Sequence, residues 1–227
     1  PHGTVRQEYF YSDITGEWER CFVYTPVEYE ECPEKRYPVL YLQHGHGENE
    51  TGWIEEGKVH FIMDNLIQAK EAKPFIIVMN NGMVQTKNAE GKRIVDHTIF
   101  PEYLIKDVIP YIEKKYRTIK NKDSRAMAGL SMGSIQTSIT AFEYPEYFSY
   151  IGLFSGFLRD FIQGDKIMDM VQRGKASDKH LRILDSKETF KNKNNLYANY
   201  CNTNSLFSNE GQCCRLVGYY IDTGKKG

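Results

Sequence analysis

The pentapeptide Gly129-Leu130-Ser131-Met132-Gly133 constrains this chain more than any other stretch. It ends the short apolar run Arg125 to Leu130 and precedes Ile135 to Phe142, whose composition suits a helix. Strand, sharp turn and helix in that order are the setting in which Gly-x-Ser-x-Gly forms a nucleophile elbow. The physical requirement is clearance: glycines on either side of the serine remove the Cβ atoms that would hold strand and helix backbones apart. Ser131 would then head a helix, where the N–H of Met132 has no carbonyl one turn earlier and is free to donate to a developing oxyanion. A chance match in a glycine-containing turn is the alternative, and the flanking elements argue against it.

Upstream, Thr4 to Tyr11 and Glu17 to Thr25 interleave polar with aromatic residues around the turn-rich Ser12 to Gly16, which predicts an antiparallel hairpin. Val27 to Arg36 is charged and reads as a surface connection. Tyr37 to Leu42 is a continuous apolar run, the pattern of a strand buried on both faces. It runs into Gln43-His44-Gly45-His46-Gly47-Glu48, a loop at the position where open α/β sheets place ligands. Gly57 to Lys70 carries Val59, Ile62, Met63, Leu66 and Ile67 at helical spacing. Lys73-Pro74 stops that helix, Phe75 to Met79 predicts a second buried strand, and Asn80-Asn81-Gly82 a turn. Gln85 to His97 is polar and irregular, a candidate substrate-side loop. Glu102 to Tyr116 has a helical period, with Pro110 predicting a kink or a break, and Tyr150 to Phe154 predicts a further strand.

Strands alternating with helices set the class as α/β, with a mostly parallel central sheet, antiparallel strands at the N-terminus and helices on both faces. One domain is expected over residues 1–227, divergent or incomplete over about 165–227. There Leu181 to Leu184 reads as a strand or as part of a helix, and Asn192 to Asn209 is rich in asparagine and serine with weak periodicity.

Charge narrows the partner. Lysine and arginine total 29 against 30 aspartates and glutamates, with no long basic run, so the footprint of a nucleic-acid or membrane-surface binder is missing. No apolar run approaches the roughly 20 residues of a spanning helix. A small or neutral molecule is the expected partner. Cys21, Cys32, Cys201, Cys213 and Cys214 show no C-x-x-C spacing, which argues against a zinc site, and neither a metal nor an organic cofactor is expected. Cys21 and Cys32 lie close enough in sequence to bridge a hairpin in a secreted protein, with free buried thiols as the alternative. Asn49-Glu50-Thr51 has the form of a glycosylation acceptor. The chain begins with Pro1, as a mature form, an excised domain or a fragment does, and shows no signal-peptide pattern.

The elbow and the His44 loop together give the chain a resemblance. Val39 to Trp53, Met63 to Ile67, Pro74 to Met79, Asp107 to Glu113, Arg125 to Gly133 and Tyr150 to Gly152 resemble, in order, the feruloyl and acetylxylan esterases, carbohydrate esterases of the α/β-hydrolase fold. The likeness covers roughly residues 38–157. It implies that Ser131 attacks the ester carbonyl of a hydroxycinnamoyl or acetyl group on plant cell-wall polysaccharide. It assigns the oxyanion hole to the backbone N–H groups of Met132 and His46. Trp53 and Asn81 would stand near the mouth of the site as substrate contacts, with a core-edge tryptophan as the alternative for Trp53. The resemblance also implies a secreted enzyme whose partner is an ester-substituted plant polysaccharide or a feruloylated oligosaccharide.

A serine nucleophile needs a base, and in this fold the chain order is serine, acid, histidine. After Ser131 the only histidine is His180, which precedes the place where the family has its acid. Asp185 can be the acid only if Leu181 to Leu184 is the late strand. Asn199 to Ser205, the counterpart of the family's acid turn, has no carboxylate, and the chain stops at Gly224-Lys225-Lys226-Gly227, about where the family's histidine loop begins. Acid and base therefore stay open, with Asp185 and His180 as candidates. His44 reads as a loop brace, and His2, His60 and His97 as surface or edge residues. A truncated tail, an altered tail in an inactive domain, or a partner chain that completes the site would each account for this. The first two are favoured, because the pattern holds to Phe157 and fails at one end. The expected activity is hydrolysis of feruloyl or acetyl esters on xylan. An acyltransferase, a small-molecule esterase and an inactive binding module are the alternatives.

Overall fold

The computed structural model describes residues 2–155 and 182–184. Among the described residues nine strands form, in chain order: β1 (Thr4–Ser12), β2 (Glu17–Thr25), β3 (Val39–Gln43), β4 (Ile76–Asn80), β5 (Gln85–Lys87), β6 (Arg93–Val95), β7 (Arg125–Leu130), β8 (Tyr150–Phe154) and β9 (Arg182–Leu184). Seven of them build one sheet in the order β1-β2-β4-β3-β7-β8-β9. β1, β2 and β4 pair antiparallel, whereas β4, β3, β7, β8 and β9 run parallel. The helices are α1 (Glu28–Glu31), α2 (Gly52–Glu55), α3 (Val59–Gln68), α4 (Phe100–Tyr103), α5 (Ile109–Lys115) and α6 (Met132–Glu143).

The unbroken apolar runs follow from this layering. β3 and β4 are buried at every residue because their alternate side chains enter two separate cores. Val39, Tyr41, Ile76, Val78 and Met127 pack with Phe100, Leu104, Val108 and Ile112 on one face. Leu40, Leu42, Ile77, Met79 and Ala128 pack with Val59, Met63 and Leu66 of α3 on the other. Helices thus cover both faces of a mostly parallel sheet, as the alternation of elements required.

Several details differ from the sequence reading. The stretch Gln85 to His97 is not irregular: β5 and β6 form a small hairpin, with Gln85 opposite Val95. The helical segment that holds Pro110 is divided into two α-helices. Leu104–Val108 is a π-helical turn joining α4 to α5, and Pro110 falls in the first turn of α5. Proline lacks an N–H and crowds the carbonyl four residues earlier, which here belongs to Lys106 inside the π turn, where the α-helical hydrogen-bond ladder is already interrupted. Cys21 and Cys32 are both free, the first buried in the core and the second exposed, so no bridge closes this hairpin. Burial pushes the Cys21 thiol up to about 12. Of the stretch Leu181 to Leu184, the described residues Arg182–Leu184 form strand β9, which pairs with β8.

The entry hairpin is fastened to the helical layer by one carboxylate. Glu8 of β1 is 7 % exposed. It accepts from Tyr116 Oη at 2.5 Å and Tyr111 Oη at 3.1 Å and pairs with Lys115. Burial alone would raise its pKa, but the hydrogen bonds from Lys115, Tyr116 and Tyr111 outweigh burial and hold it below the ordinary carboxylate value. A depressed folded-state pKa means stability that is present above the unfolded value of about 4.3 and lost as pH falls through the folded one. Glu8→Gln is expected to cost about 1–3 kcal/mol at neutral pH. Urea unfolding at a series of pH values checks this: the gap to the unmodified chain should close below about pH 4, and a gap constant with pH would contradict it.

Candidate active site

The elbow forms as its glycines require. Ser131 follows β7 directly and has φ 51° and ψ −110°, a conformation that costs a non-glycine residue on the order of 1–3 kcal/mol. A Cβ on Gly129 would lie 2.2 Å from the carbonyl carbon and oxygen of Gly133, and a Cβ on Gly133 would lie 2.7 Å from the carbonyl oxygen of His44. Strand, turn and helix therefore interlock with the end of β3 at distances only glycine allows. Ser131 N–H donates to Phe154 O at 2.8 Å, which ties the elbow to the end of β8. The Ser131 carbonyl accepts from Ser134 Oγ at 2.6 Å.

Ser131 occupies the N-cap position of α6 but makes no side-chain capping bond. A serine there normally turns its oxygen onto the amides of the first turn. The unusual backbone angles prevent that here, so the hydroxyl is not spent on its own helix. Met132 is the first residue of α6, where an N–H has no intrahelical acceptor.

The loop after β3 faces the elbow. His44 is 1 % exposed, and its ring is committed at both nitrogens. Nε2 accepts from Gly82 N–H at 2.8 Å, and Nδ1 lies 2.7 Å from Gly45 O. Since Nε2 accepts, the ring proton is on Nδ1 and donates to that carbonyl. His44 therefore pins the loops after β3 and β4 together and has no nitrogen left for a base, which is the bracing role its sequence position suggested. Gln136 of α6 adds a second clamp, donating to Gly82 O at 2.8 Å. Gly45 N–H donates to Glu48 Oε2 at 2.9 Å, so the amide of Gly45 is already occupied and the reading that gives the second oxyanion donor to His46 stays the simpler one.

His46 is exposed beside this turn, its ring 6.2 Å from that of His97. Partial burial, and His46 nearby, hold His97 below the ordinary imidazole value. This neighbour, 51 residues away in sequence, had no signal in the motif. Trp53 donates from Nε1 to Gln43 O at 2.9 Å and its ring lies 5.9 Å from Phe154. It braces the ends of β3 and β8 while remaining partly exposed. Asn81 folds its Oδ1 onto Met83 N–H at 2.8 Å and is likewise partly exposed at the same sheet edge. His2 reaches Asp64, and His60 lies against Phe61 on α3. His180 and Asp185 lie outside the described residues. Among those described, no group of three His, Cys, Asp or Glu residues converges as a metal ion would need.

The model of the family described as "putative esterase" matches residues 12–199, which takes in the elbow and the His44 loop. The chain belongs to this esterase family. An endo-1,4-β-xylanase/feruloyl esterase of Xylanibacter ruminicola is 44% identical over 160 residues, 68% of this chain and 22% of that protein. A solved ferulic acid esterase is 31% identical with a TM-score of 0.58 and covers 67% of this chain and 60% of that one. The feruloyl esterase module from Clostridium thermocellum, solved with sinapinate, has a TM-score of 0.67 over 80% of this chain and 65% of that one; at 24% identity it shows the α/β-hydrolase fold alone. The chain spans less than a quarter of the length of the Xylanibacter protein it matches. The matched region includes the fully formed elbow at Ser131.

Proposed function

We propose that this chain is a serine esterase that hydrolyses feruloyl or acetyl esters carried by plant cell-wall xylan, and that its work is done outside the cell, where such polymers are met. One observation carries the reading: Ser131 is held in a strained elbow at the N-terminus of α6, with its hydroxyl making no capping bond. Ser131 Oγ attacks the ester carbonyl carbon, and the oxygen that becomes negative is met by the N–H groups of Met132 and His46. Collapse of that intermediate expels the sugar alcohol and leaves an acyl-serine, which water then hydrolyses. Trp53 and Asn81 flank the entrance and contact the substrate.

Asp185 is our candidate for the acid of the triad and His180 for the base. Asp185 follows β9 directly in sequence, and β9 runs parallel to β7 and β8, so the strand before it points to the same sheet edge as the elbow. The four site-bearing strand ends then follow the rule that α/β sheets work at their carboxyl edge. The names of the xylanase/feruloyl esterase and ferulic acid esterase relatives support the substrate class.

The test is release of ferulate from methyl ferulate and of acetate from acetylated xylan by the full chain. Asp185→Asn is expected to lower turnover at least about 100-fold, since a triad acid orients the base. Turnover by the unmodified chain no greater than that of the Ser131→Ala variant would overturn the esterase reading. Failure of a fluorophosphonate to label Ser131 would then point to a binding role for the fold.

A further inference from the structure

We infer that Asn81-Gly82 is a self-modification site, at which the chain can close into a cyclic imide, and that the clamp through His44 and Gln136 holds this reaction shut in the folded protein. The chemistry is independent of ester hydrolysis. Asn81-Gly82 is the one Asn-Gly pair among the 227 residues. An asparagine side chain presents a carboxamide carbon that forms a five-membered ring with the next peptide nitrogen, and glycine, having no Cβ, leaves that nitrogen unhindered. A larger residue at 82 would crowd the clamp. Its Cβ would lie 2.8 Å from Gln136 Oε1 and 3.2 Å from Met132 Cε, and Gln136 is 3 % exposed with its Nε2 bonded to Gly82 O.

The reaction needs only water. Gly82 N attacks Asn81 Cγ and loses its proton as the N–Cγ bond forms; the Cγ–Nδ2 bond breaks, and the amide nitrogen departs with a proton as ammonia. Water then opens the imide at one of its two carbonyls. Cleavage between Gly82 N and Cγ leaves aspartate, whereas cleavage between Gly82 N and the main-chain carbonyl leaves isoaspartate. Asparagine and water have become a carboxylic acid and ammonia, with no oxidant or reductant.

In the folded chain the groups that must move are tied down. Gly82 N–H donates to His44 Nε2 and Gly82 O accepts from Gln136 Nε2, each at 2.8 Å. Asn81 Oδ1 accepts from Met83 N–H at 2.8 Å, and Asn81 O accepts a longer bond from Asn80 Nδ2 at 3.4 Å. Ring closure removes the N–H that His44 accepts and draws the carboxamide off Met83. His44 and Gly82 are buried, so water does not replace the bond lost between them, and its loss carries the full cost of an unpaired buried group. Imide formation therefore waits for the turn to open locally, and its rate is the intrinsic rate multiplied by the fraction of time spent open. Asn81 is partly exposed, which gives water access to the ring. The change runs one way. The imide has no N–H to return to His44, and isoaspartate adds a carbon to the main chain between β4 and the clamp.

The test follows the full chain at mildly alkaline pH, in buffer and in guanidinium chloride, by mass spectrometry of the peptide that contains Asn81, with enzymatic methylation to count isoaspartate. Conversion in buffer is expected to be at least about 100-fold slower than in denaturant, the scale of two buried hydrogen bonds. Gln136→Met keeps the volume of the side chain and loses the donor to Gly82 O. It should speed conversion in buffer about tenfold and leave the rate in denaturant unchanged. Asn81→Gln, which can close only a six-membered ring, should stay intact over the same period. Isoaspartyl protein separated from its parent should melt at least about 2 °C lower, because the clamp cannot re-form. Equal rates in buffer and denaturant, or a Gln136→Met protein that converts no faster than its parent, would overturn the proposal. So would isoaspartyl protein that melts with its parent. The first and last comparisons need no variant, so they decide even where Gln136→Met does not fold.

Discussion

Ser131→Ala is expected to lower turnover of methyl ferulate by roughly ten-thousand- to million-fold, the range over which deletion of a nucleophile or its partners acts in serine hydrolases. KM should move little, because the change removes a bond made only during reaction. The stability of the fold should respond in a way that a merely structural serine would not. Ser131 makes no capping bond, so alanine has no hydrogen bond to lose at that position. It does keep a Cβ at φ 51°. Ser131→Gly removes the Cβ as well, and should be more stable than Ser131→Ala by about 1 kcal/mol as the strain relaxes. Both variants should be equally inactive. Steady-state kinetics with methyl ferulate and urea unfolding of the three proteins decide the matter. An alanine variant that retains a hundredth of the activity would remove Ser131 from the chemistry. A glycine variant less stable than the alanine one would remove the strain.

The second large effect is at Gly129. Alanine there sets a Cβ 2.2 Å from the main chain of Gly133, and neither partner is a side chain that can swing aside. Either β7 or the start of α6 must move, and each is held, β7 by pairing with β3 and β8 and the elbow by the Ser131 bond to Phe154. Gly129→Ala is expected to destabilise the fold by about 3 kcal/mol or more and to abolish hydrolysis. Gly45→Ala is the matched control. Its Cβ would meet nothing nearer than Glu48 Oε2 at 3.6 Å, an ordinary contact, so its cost should stay below about 1 kcal/mol. Thermal melts of the two variants make the comparison. Similar midpoints for both would show that the elbow is not packed as tightly as its geometry states.

The sheet was legible in the sequence because its central strands must satisfy two cores at once. Val39 to Gln43 and Ile76 to Asn80 bury both sets of alternate residues, which leaves an unbroken apolar run that little else produces. The elbow was legible because the close approach of Gly129, Gly133 and the end of β3 permits no other residue. The short β5–β6 hairpin was not. Its strands are three residues each and largely exposed, so burial imposes no alternation on them. The π turn was equally hidden, since Leu104 to Ile112 reads as helix whether one hydrogen bond spans four residues or five. Within the site, pairs close in sequence or governed by backbone clearance could be read in advance. His46 beside His97, Trp53 on the Gln43 carbonyl and Gln136 on Gly82 join separate strand ends, and no local pattern encodes which loop tips will meet. Asp185 and His180 fall outside the described residues, and the assignment of acid and base rests on the variants named above.

The strand order has a further consequence for the nascent chain. β4 is made soon after β3 and can pair with it at once, but the other edge of β3 belongs to β7. Roughly 80 residues separate the end of β3 from the start of β7. At a synthesis rate of about 5–20 residues per second, that largely apolar strand waits on the order of 4–16 s with its outer amides and carbonyls unpaired. An open edge of this kind is a template for pairing with another chain. The half-made protein is therefore most vulnerable to aggregation at this edge before the serine-bearing strand leaves the ribosome, and the strand that delivers the elbow is the one that covers it.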